Sequence, residues 1–307
     1  MLNFIIKRLA IAVPTLLILI VLSYILMYSA PGTPFTRAKA LPPEVIANLQ
    51  ARYGFDEPLW KQICIYVWHI VAHFDFGPSY IYKDRSVNDI IAQGFPVTIR
   101  YGVFSFILAT VFGVALGVVA AINQNSTADY FAIGFTITAQ VLPGFVLAPL
   151  LMLVFTYWLG WLPGGGWEGG QWRYVVMPVI AVGTGSMASI ARITRSSMLE
   201  VLTSNHIRTA RAKGLPESKV VIRHALKPAL LPVLSYLGPT FVGMITGSVV
   251  VDKFFSTGGI GKAFVDAASN RDYALMMGVT LLVGGLYIVF NLLVDVLYAW
   301  IDPKIRY

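Results

Sequence analysis

Charged residues and cysteines are scarce in this sequence. Lys, Arg, Asp and Glu form 12% of its 307 residues, against about 25% in an ordinary soluble domain. The single cysteine, Cys64, excludes an intramolecular disulfide and a metal cluster built on several thiolates. With 57% hydrophobic residues and a mean hydropathy of +0.70, the composition indicates a protein dissolved in lipid.

Acidic residues are scarcer than basic ones. The chain has 15 Asp and Glu against 23 Lys and Arg, a formal net charge of +8. Such a balance can indicate contact with nucleic acid or with anionic lipid. Here the basic residues are concentrated in one segment, which the excess of Lys and Arg in cytoplasmic loops explains more simply. We therefore expect membrane lipid, and no nucleic acid, as a partner.

Six apolar stretches have the length, about 20 residues, that crosses a hydrocarbon core. They are residues 9–30, 101–122, 130–159, 174–191, 229–251 and 273–294. The third contains Pro143-Gly144 and is expected to be kinked or broken. Two glycine pairs have the spacing that lets helices approach closely, Gly113 with Gly117 and Gly243 with Gly247. The sequence predicts an all-α integral membrane protein with six transmembrane helices.

Basic residues lie mainly on the side of the N-terminus. With that terminus inside, the inner segments carry Lys7, Arg8, Arg192, Arg195, Arg208, Arg211, Lys213, Lys219, Arg223, Lys227, Lys304 and Arg306. The short outer loops carry Arg173, Lys253, Lys262 and Arg271. This bias predicts that both termini are cytoplasmic.

Residues 31–100 form a long outer segment between the first two spans. A helical run is expected from Pro42 to Gly54, and a second from Leu59 to Phe74. The second run is too short to span, and its aromatic residues suit the membrane–water boundary. We expect an exported helical cap.

Residues 192–228 form the longest inner segment, far longer than a plain connector needs. Ser204 or Asn205 can cap a short helix. Gly214 suits the left-handed position at the end of that helix, and Pro216 prevents its continuation. The sequence predicts two inner helices that meet at a Gly-Leu-Pro bend.

This bend has the chemistry of a docking surface for a cytosolic partner. Ala210 and Gly214 would permit close approach, and Leu215 would supply an apolar anchor. Arg208, Arg211 and Lys213 could pair with acidic groups. The alternative is that the basic residues only fix the topology.

Residues 208–216, Arg-Thr-Ala-Arg-Ala-Lys-Gly-Leu-Pro, resemble the coupling loop ("EAA loop") of binding-protein-dependent ABC permeases, in the peptide and nickel branch. The usual Glu-Ala-Ala positions are held by Arg208, Thr209 and Ala210, with Gly214 in register. The departure at Arg208 and Thr209 is one that the peptide branch itself uses.

The resemblance covers essentially the whole chain. It includes residues 31–34 (Pro-Gly-Thr-Pro), 75–79 (Asp-Phe-Gly-Pro-Ser), 162–167 (Leu-Pro-Gly-Gly-Gly-Trp) and the C-terminal residues from 295. Together these favour the B-type subunits of oligopeptide permeases over their dipeptide relatives. Residues 257–261, Thr-Gly-Gly-Ile-Gly, depart from the family's Leu-Pro-Gly-Ile-Gly.

The resemblance implies a type I importer permease in a bacterial inner membrane. A periplasmic binding protein would deliver an oligopeptide to a heterodimer of this chain and a sister permease. Two cytosolic ATPases would bind ATP and Mg and would hold the coupling helices in grooves. The residues implied in ATPase coupling are Arg208, Thr209, Ala210, Arg211, Gly214 and Leu215, within segment 204–216.

The implied layout has four parts. A tail and first span occupy residues 1–30, the periplasmic segment 31–100, the permease core 101–303 with the coupling segment 192–228, and a cytoplasmic tail 304–307. Within the family, dipeptides, murein peptides or nickel are alternative cargoes. An ion-coupled secondary transporter is the alternative from another class, but it has no need of an ATPase dock.

No catalytic or metal site is expected. Residues 257–262 resemble a phosphate-binding loop, yet Ser256 stands where its first glycine belongs and Ala263 follows the lysine. His69 and His73 have a metal-binding spacing, but no further ligand at helical spacing completes a site apart from Asp75. We therefore predict a transport subunit without its own cofactor.

Polar residues in the apolar stretches are candidates for the translocation pathway. They are Thr240, Thr246 and Ser248 in the fifth stretch and Asn291 in the sixth. The alternative for the hydroxyls is ordinary hydrogen bonding to the carbonyls of their own helix. Asp295 would serve proton coupling in a secondary transporter, or pair with a basic residue near the inner interface.

Overall fold

The computed structural model describes residues 2–29, 57–79, 81–82, 85–270 and 272–301. The α-helices of six or more residues are α1 (Leu2–Ser29), α2 (Leu59–His73), α3 (Val87–Ile122), α4 (Thr127–Val141), α5 (Gly144–Leu151), α6 (Trp172–Leu202), α7 (Asn205–Ala212), α8 (Leu226–Ile245), α9 (Val249–Phe254), α10 (Ile260–Asn270) and α11 (Tyr273–Ile301). Two three-residue helical turns are Glu168–Gly170 and Glu217–Lys219. A π-helical segment, Met152–Trp158, continues α5, and another, Val220–Ala225, leads into α8. Within these ranges the β-structure is one isolated bridge, between Pro78 and Ser86.

The chain forms two compact units, residues 1–96 with 258–307 and residues 97–257. In the first unit, α1 packs against α2 and α11, and α10 packs against α11. Ile20, Ile70 and Leu281 form one buried cluster there, and Tyr24 donates a hydrogen bond of 2.8 Å to Gln62. The helix expected at 59–74 is thus confirmed as α2, whereas the helix expected at 42–54 and the side chain of Asp295 lie outside the described residues.

The second unit is built around α6, which packs against α4, α5 and α8. A cluster near the middle of α6 joins Met187 and Ile190 to Ala109 of α3 and Val233 of α8. Another cluster, at the C-terminal end of α6, lies beneath α7. The core of this unit therefore follows the length of α6.

Among the described residues, four helices are long and apolar enough to cross a membrane, and the bent pair of α4 with α5 and its π segment makes a fifth candidate. The apolar part of α1, Ala10–Leu26, is shorter than the others. The protein is thus an all-helical membrane protein whose described residues contain four to five apolar spans by this criterion, where the sequence predicted six. The predicted break in the third stretch is confirmed, because the pair is bent by 105° at Leu142-Pro143.

Two glycines of α3 lie directly against α6. A Cβ added at Gly117 would lie 2.5 Å from the carbonyl oxygen of Ala191, and one at Gly113 would lie 2.8 Å from that of Met187. The predicted close approach at this pair is therefore confirmed. Gly247 has a different role, because its φ of +92° places it in the left-handed turn between α8 and α9.

A buried ion pair ties the start of α4 to α6. The Arg195 guanidinium donates two hydrogen bonds of 2.7 Å to the Asp129 carboxylate, whose side chain is 1% exposed. The backbone N–H of Asn125 donates a third, of 3.0 Å. Since this carboxylate has exchanged water for three donors, it depends on Arg195 to remain charged.

We expect Asp129→Asn to destabilise the protein by about 2–3 kcal/mol, because a partly exposed guanidinium loses its charged partner. Thermal unfolding of the detergent-solubilised protein with its partners measures the effect. Glu200→Gln is the matched control on α6, since Glu200 is exposed and should change stability by less than about 0.5 kcal/mol. Equal melting temperatures for the two variants would contradict the assignment.

Gly117→Ala should destabilise the protein by about 1–3 kcal/mol, because the added methyl group has no space between α3 and α6. Gly134→Ala is the matched control in α4, where a Cβ would meet nothing within 4 Å. That control should be neutral or slightly stabilising, as alanine is the better helix former. The same melting experiment distinguishes them, and a stable Gly117→Ala protein would refute the close contact.

Candidate functional site

The short helix α7 is the core of the candidate site. Its apolar side chains are buried and its polar ones face outward. Ile207 and Ala210, three positions apart, are buried, while Arg208, Thr209 and Arg211 are exposed. This three-residue spacing gives the helix one apolar edge. The apolar edge positions α7, and the polar side faces outward.

The apolar edge of α7 packs on three longer helices. Its partners are Met198 of α6, Ala121 at the end of α3, and Val220, Val221, Ala225 and Ala229 at and before the start of α8. Leu215 is partly buried against the same cluster. Any displacement of α7 must therefore act on all three helices, because a close-packed cluster does not deform freely.

The start of α7 differs from the predicted cap. Ser204 holds the N-cap position, but its hydroxyl donates to the Val201 carbonyl oxygen at 2.5 Å and lies 2.9 Å from Nδ1 of His206, and it accepts no hydrogen bond from a backbone N–H of the helix. The reason is that α6 continues to Leu202, beyond the predicted end of the fourth span, and Ser204 completes that turn. The connection between the long helices is therefore shorter than residues 192–228.

The end of α7 is a Schellman turn, as the glycine position predicted. Gly214 has a φ of +72°, and its N–H donates a hydrogen bond of 2.9 Å to the carbonyl oxygen of Arg211. The N–H of Leu215 donates a hydrogen bond of 3.4 Å to the carbonyl oxygen of Ala210, five positions earlier, and this bond defines the Schellman motif. The turn directs Leu215 back toward the cluster and starts the path to α8.

An ion pair spans the turn. Arg211 donates hydrogen bonds of 2.5 and 3.1 Å to the Glu217 carboxylate. The hydrogen bond to Glu217 raises the pKa of Arg211, which stays charged. Both side chains are well exposed, so the pair contributes little to stability but fixes the direction of the guanidinium. Arg208 and Lys213 form no ion pair with any described residue, which leaves two cations for a partner.

The six predicted coupling residues therefore divide into two groups. Arg208, Thr209 and Arg211 are exposed on α7, and Gly214 is exposed at its turn. Ala210 and Leu215 instead face the protein's own core, where Ala210 is buried and Leu215 is half-buried. Their small size and apolar character serve the seating of α7 rather than an outward contact.

Of the predicted pathway residues, Thr240, Thr246 and Ser248 lie in the second unit and Asn291 lies in the first. The hydroxyls of Thr240 and Thr246 donate to carbonyls of their own helix, Tyr236 at 2.7 Å and Gly243 at 3.2 Å. Ser248 caps α9, accepting from the N–H of Val251 at 3.3 Å. Asn291 is exposed on α11. The hydroxyl bonds are those expected of the alternative interpretation.

A buried polar cluster at the break between α8 and α9 was missed by sequence reasoning. The carboxylate of Asp252 is fully buried and accepts a hydrogen bond from Thr257. The hydroxyl of Tyr101 interacts with Asp252 and accepts from the N–H of Ser248 at 3.3 Å. The available signal was an acidic residue directly after an apolar stretch, and it applied to Asp252 as much as to Asp295.

The architecture matches that of known transport proteins. The fold resembles a chain of the methionine ABC transporter MetNI in inward-facing conformations, with a TM-score of 0.57 and 16% identity, over 72% of this chain and 98% of that one. It also resembles a chain of an amino acid ABC transporter, with a TM-score of 0.53 and 15% identity over 71% and 94%. These likenesses show that the chain shares its fold with chains of ABC transporters.

Sequence comparison gives the family. The model of the "binding-protein-dependent transport system inner membrane component" family matches residues 113–307, and that of its N-terminal part matches residues 1–101. The chain belongs to this family of binding-protein-dependent inner-membrane transport components. It is thus a multi-pass transport subunit rather than an enzyme, and the family implies ATPase and binding-protein partners.

Individual relatives are similar over their full length. The oligopeptide transport system permease protein OppB of Salmonella typhimurium is 55% identical over 307 residues, covering 100% of both chains. OppB of Haemophilus influenzae is 54% identical over the same coverage. The dipeptide transport system permease protein DppB of Bacillus subtilis is 40% identical over 306 residues, covering 100% of this chain and 98% of the relative.

Gly214→Ala should loosen α7, because an L-residue at this left-handed position costs about 1 kcal/mol. Hydrogen–deuterium exchange of residues 205–215 in the assembled complex should become several-fold faster. Ser218→Ala is the control, since Ser218 is exposed within the helical turn Glu217–Lys219, where alanine fits. Unchanged exchange in Gly214→Ala would contradict the assigned role of the turn.

Proposed function

We propose that this chain is the transmembrane subunit of an importer that moves oligopeptides from the periplasm to the cytoplasm, driven by ATP hydrolysis in partner subunits. The observation that carries the proposal is the 54–55% identity with oligopeptide permeases over the entire chain. Identity with a dipeptide permease is lower, 40%. The cargo is thus assigned to oligopeptides rather than dipeptides, murein peptides or nickel.

The proposed topology has six spans with both termini in the cytoplasm, as in a type I importer. The helix that brings the number of spans to six is α1, the first in the chain, whose 28 residues extend over about 42 Å. Large apolar side chains such as Ile11, Leu22 and Leu26 are exposed along it, as suits contact with lipid. The excess of basic residues on the inner segments supports the orientation.

The proposed dock for a partner ATPase is the outward side of α7. Arg208 and Lys213 offer cations without an ion-pair partner in the described chain, and Thr209 lies between them. Arg211 is held in place by Glu217. The position of α7 on the core would be fixed by Ala210, Gly214 and Leu215. The working assembly would contain a sister permease, two ATPases that bind ATP and Mg, and a periplasmic peptide-binding protein.

The cluster beneath α7 supports a mechanism for coupling. Because Met198, Ala121 and Val220 belong to different elements and share one close-packed core, a movement of α7 would tilt α3, α6 and the start of α8 together. Rigid-body motion of this kind is the usual way in which nucleotide-driven closure reaches a distant site. ATP binding in the partners would thus reorient the spans.

The proposed pathway runs past the break between α8 and α9. Helix interruptions at membrane depth persist where they face protein or a water-filled cavity. Ser248 lies at this break, and Thr240, Thr246 and Asn291 would line other parts of the route with oxygen and amide groups for a peptide backbone. The buried Asp252 would keep the break in place.

Arg208→Glu should abolish coupling with little effect on folding, because Arg208 is exposed and forms no ion pair within the described chain. In nanodiscs containing the complete complex, uptake of a labelled tetrapeptide should fall at least tenfold. Stimulation of ATP hydrolysis by peptide-loaded binding protein should be lost. Lys219→Glu is the matched control: it makes the same charge change at an exposed position beyond the turn, and should transport normally.

Two outcomes would contradict the docking proposal. Normal transport by Arg208→Glu would show that α7 does not present its cations to a partner. Equal loss in both variants would show that the net charge of the inner segment, and not the geometry of α7, is what matters.

A further inference from the structure

An apolar groove runs along the surface between α3 and α6, apart from the coupling site. Its volume is about 480 Å³. Its lining includes Arg100, Phe104, Ile107 and Phe112 of α3, and Trp172 and Val176 of α6. Apart from Arg100, these side chains are apolar or aromatic, so the groove has the lining of a hydrocarbon site with one cation.

Arg100 lies at one end of this groove. Its Nη1 donates a hydrogen bond of 3.2 Å to the carbonyl oxygen of Gly169. Within the described residues no carboxylate lies within ion-pair distance of it. A carbonyl orients the guanidinium without neutralising it, so a positive charge remains at the mouth of an apolar groove. An anion is the complementary ligand for that end.

The residues at this end of the groove suit a membrane interface. Trp172 begins α6 and is 69% exposed, and Trp161, in the loop before it, is 61% exposed. Exposed tryptophans collect where headgroups meet hydrocarbon. From Arg100 to Phe112 the helix rises about 18 Å, a little more than half of a hydrocarbon core about 30 Å thick. The groove therefore has the depth of one leaflet.

We propose that this groove binds one phospholipid, with its phosphate on Arg100 and an acyl chain between α3 and α6. With both termini cytoplasmic, the lipid would belong to the outer leaflet. The charge of the groove favours a lipid over an apolar helix of a partner. A phospholipid offers both the anion that complements Arg100 and an apolar chain for the rest of the lining.

Native mass spectrometry of the assembled complex tests the site. The complex is delipidated in detergent and titrated with palmitoyl-oleoyl-phosphatidylglycerol. Arg100→Gln should weaken the tightest lipid-binding step on the order of tenfold, the effect of a lost charge-assisted contact. Val176→Trp, which fills the apolar part of the groove, should weaken the same step while leaving Arg100 in place.

Arg173→Gln is the matched control. Arg173 is the next residue after Trp172, but it donates to the carbonyl of Trp161 at 2.8 Å and does not line the groove. It should bind lipid as the unmodified complex does. Inorganic phosphate, added as a competitor at equal concentration, should displace nothing, because the acyl chain supplies most of the binding.

Three results would overturn the proposal. Equal weakening in Arg100→Gln and Arg173→Gln would mean that general surface charge attracts the lipid. Unchanged binding in both Arg100→Gln and Val176→Trp would mean that the lipid lies elsewhere. Displacement by inorganic phosphate would mean that the site recognises a free anion rather than a lipid.

Discussion

The packing of Ile207 and Ala210 against Met198 and Val220 is the contact on which the functional interpretation depends. It attaches a short, mostly polar helix to the ends of three long apolar ones. Isolated helices of eight residues are unstable in water, so α7 exists because this cluster holds its apolar edge. The Schellman turn at Gly214 then ends the helix and returns Leu215 to the same cluster. Without this seat, the outward cations would have no fixed position.

Elsewhere, the protein supplies two buried carboxylates with hydrogen-bond partners. Asp129 is held by the guanidinium of Arg195 and a backbone N–H. Asp252 is held at the break between α8 and α9 by Thr257 and Tyr101. Such groups are costly when unpaired, so they restrict the helices to arrangements that keep the bonds. A permease that changes conformation would have to move around these fixed points.

Local features of the fold were predictable from the sequence. Gly214 and Pro216 predicted the end of α7, Pro143 predicted the break before α5, and the run from Leu59 predicted α2. Each of these depends on a few neighbouring residues with known backbone preferences. The continuation of α6 to Leu202 was not predicted, because its last turns are stabilised by packing on distant residues such as Val220.

Long-range pairings could not be derived in the same way. Asp129 and Arg195 are 66 positions apart, and nothing local shows that they meet. The inward direction of Ala210 likewise depends on which elements lie beneath α7. The sequence resemblance to the coupling loop did not distinguish the residues that face outward from those that pack α7 onto the core.

The energy source of transport distinguishes an ATP-driven importer from an ion-coupled transporter. It can be controlled when the complete complex is reconstituted in proteoliposomes. Proteoliposomes would be loaded with ATP and Mg, given peptide-loaded binding protein outside, and treated with ionophores that collapse proton and sodium gradients. We expect tetrapeptide uptake that requires ATP and the binding protein and continues when the gradients are gone. Uptake that needed an ion gradient and no ATP would contradict it and would identify an ion-coupled transporter instead.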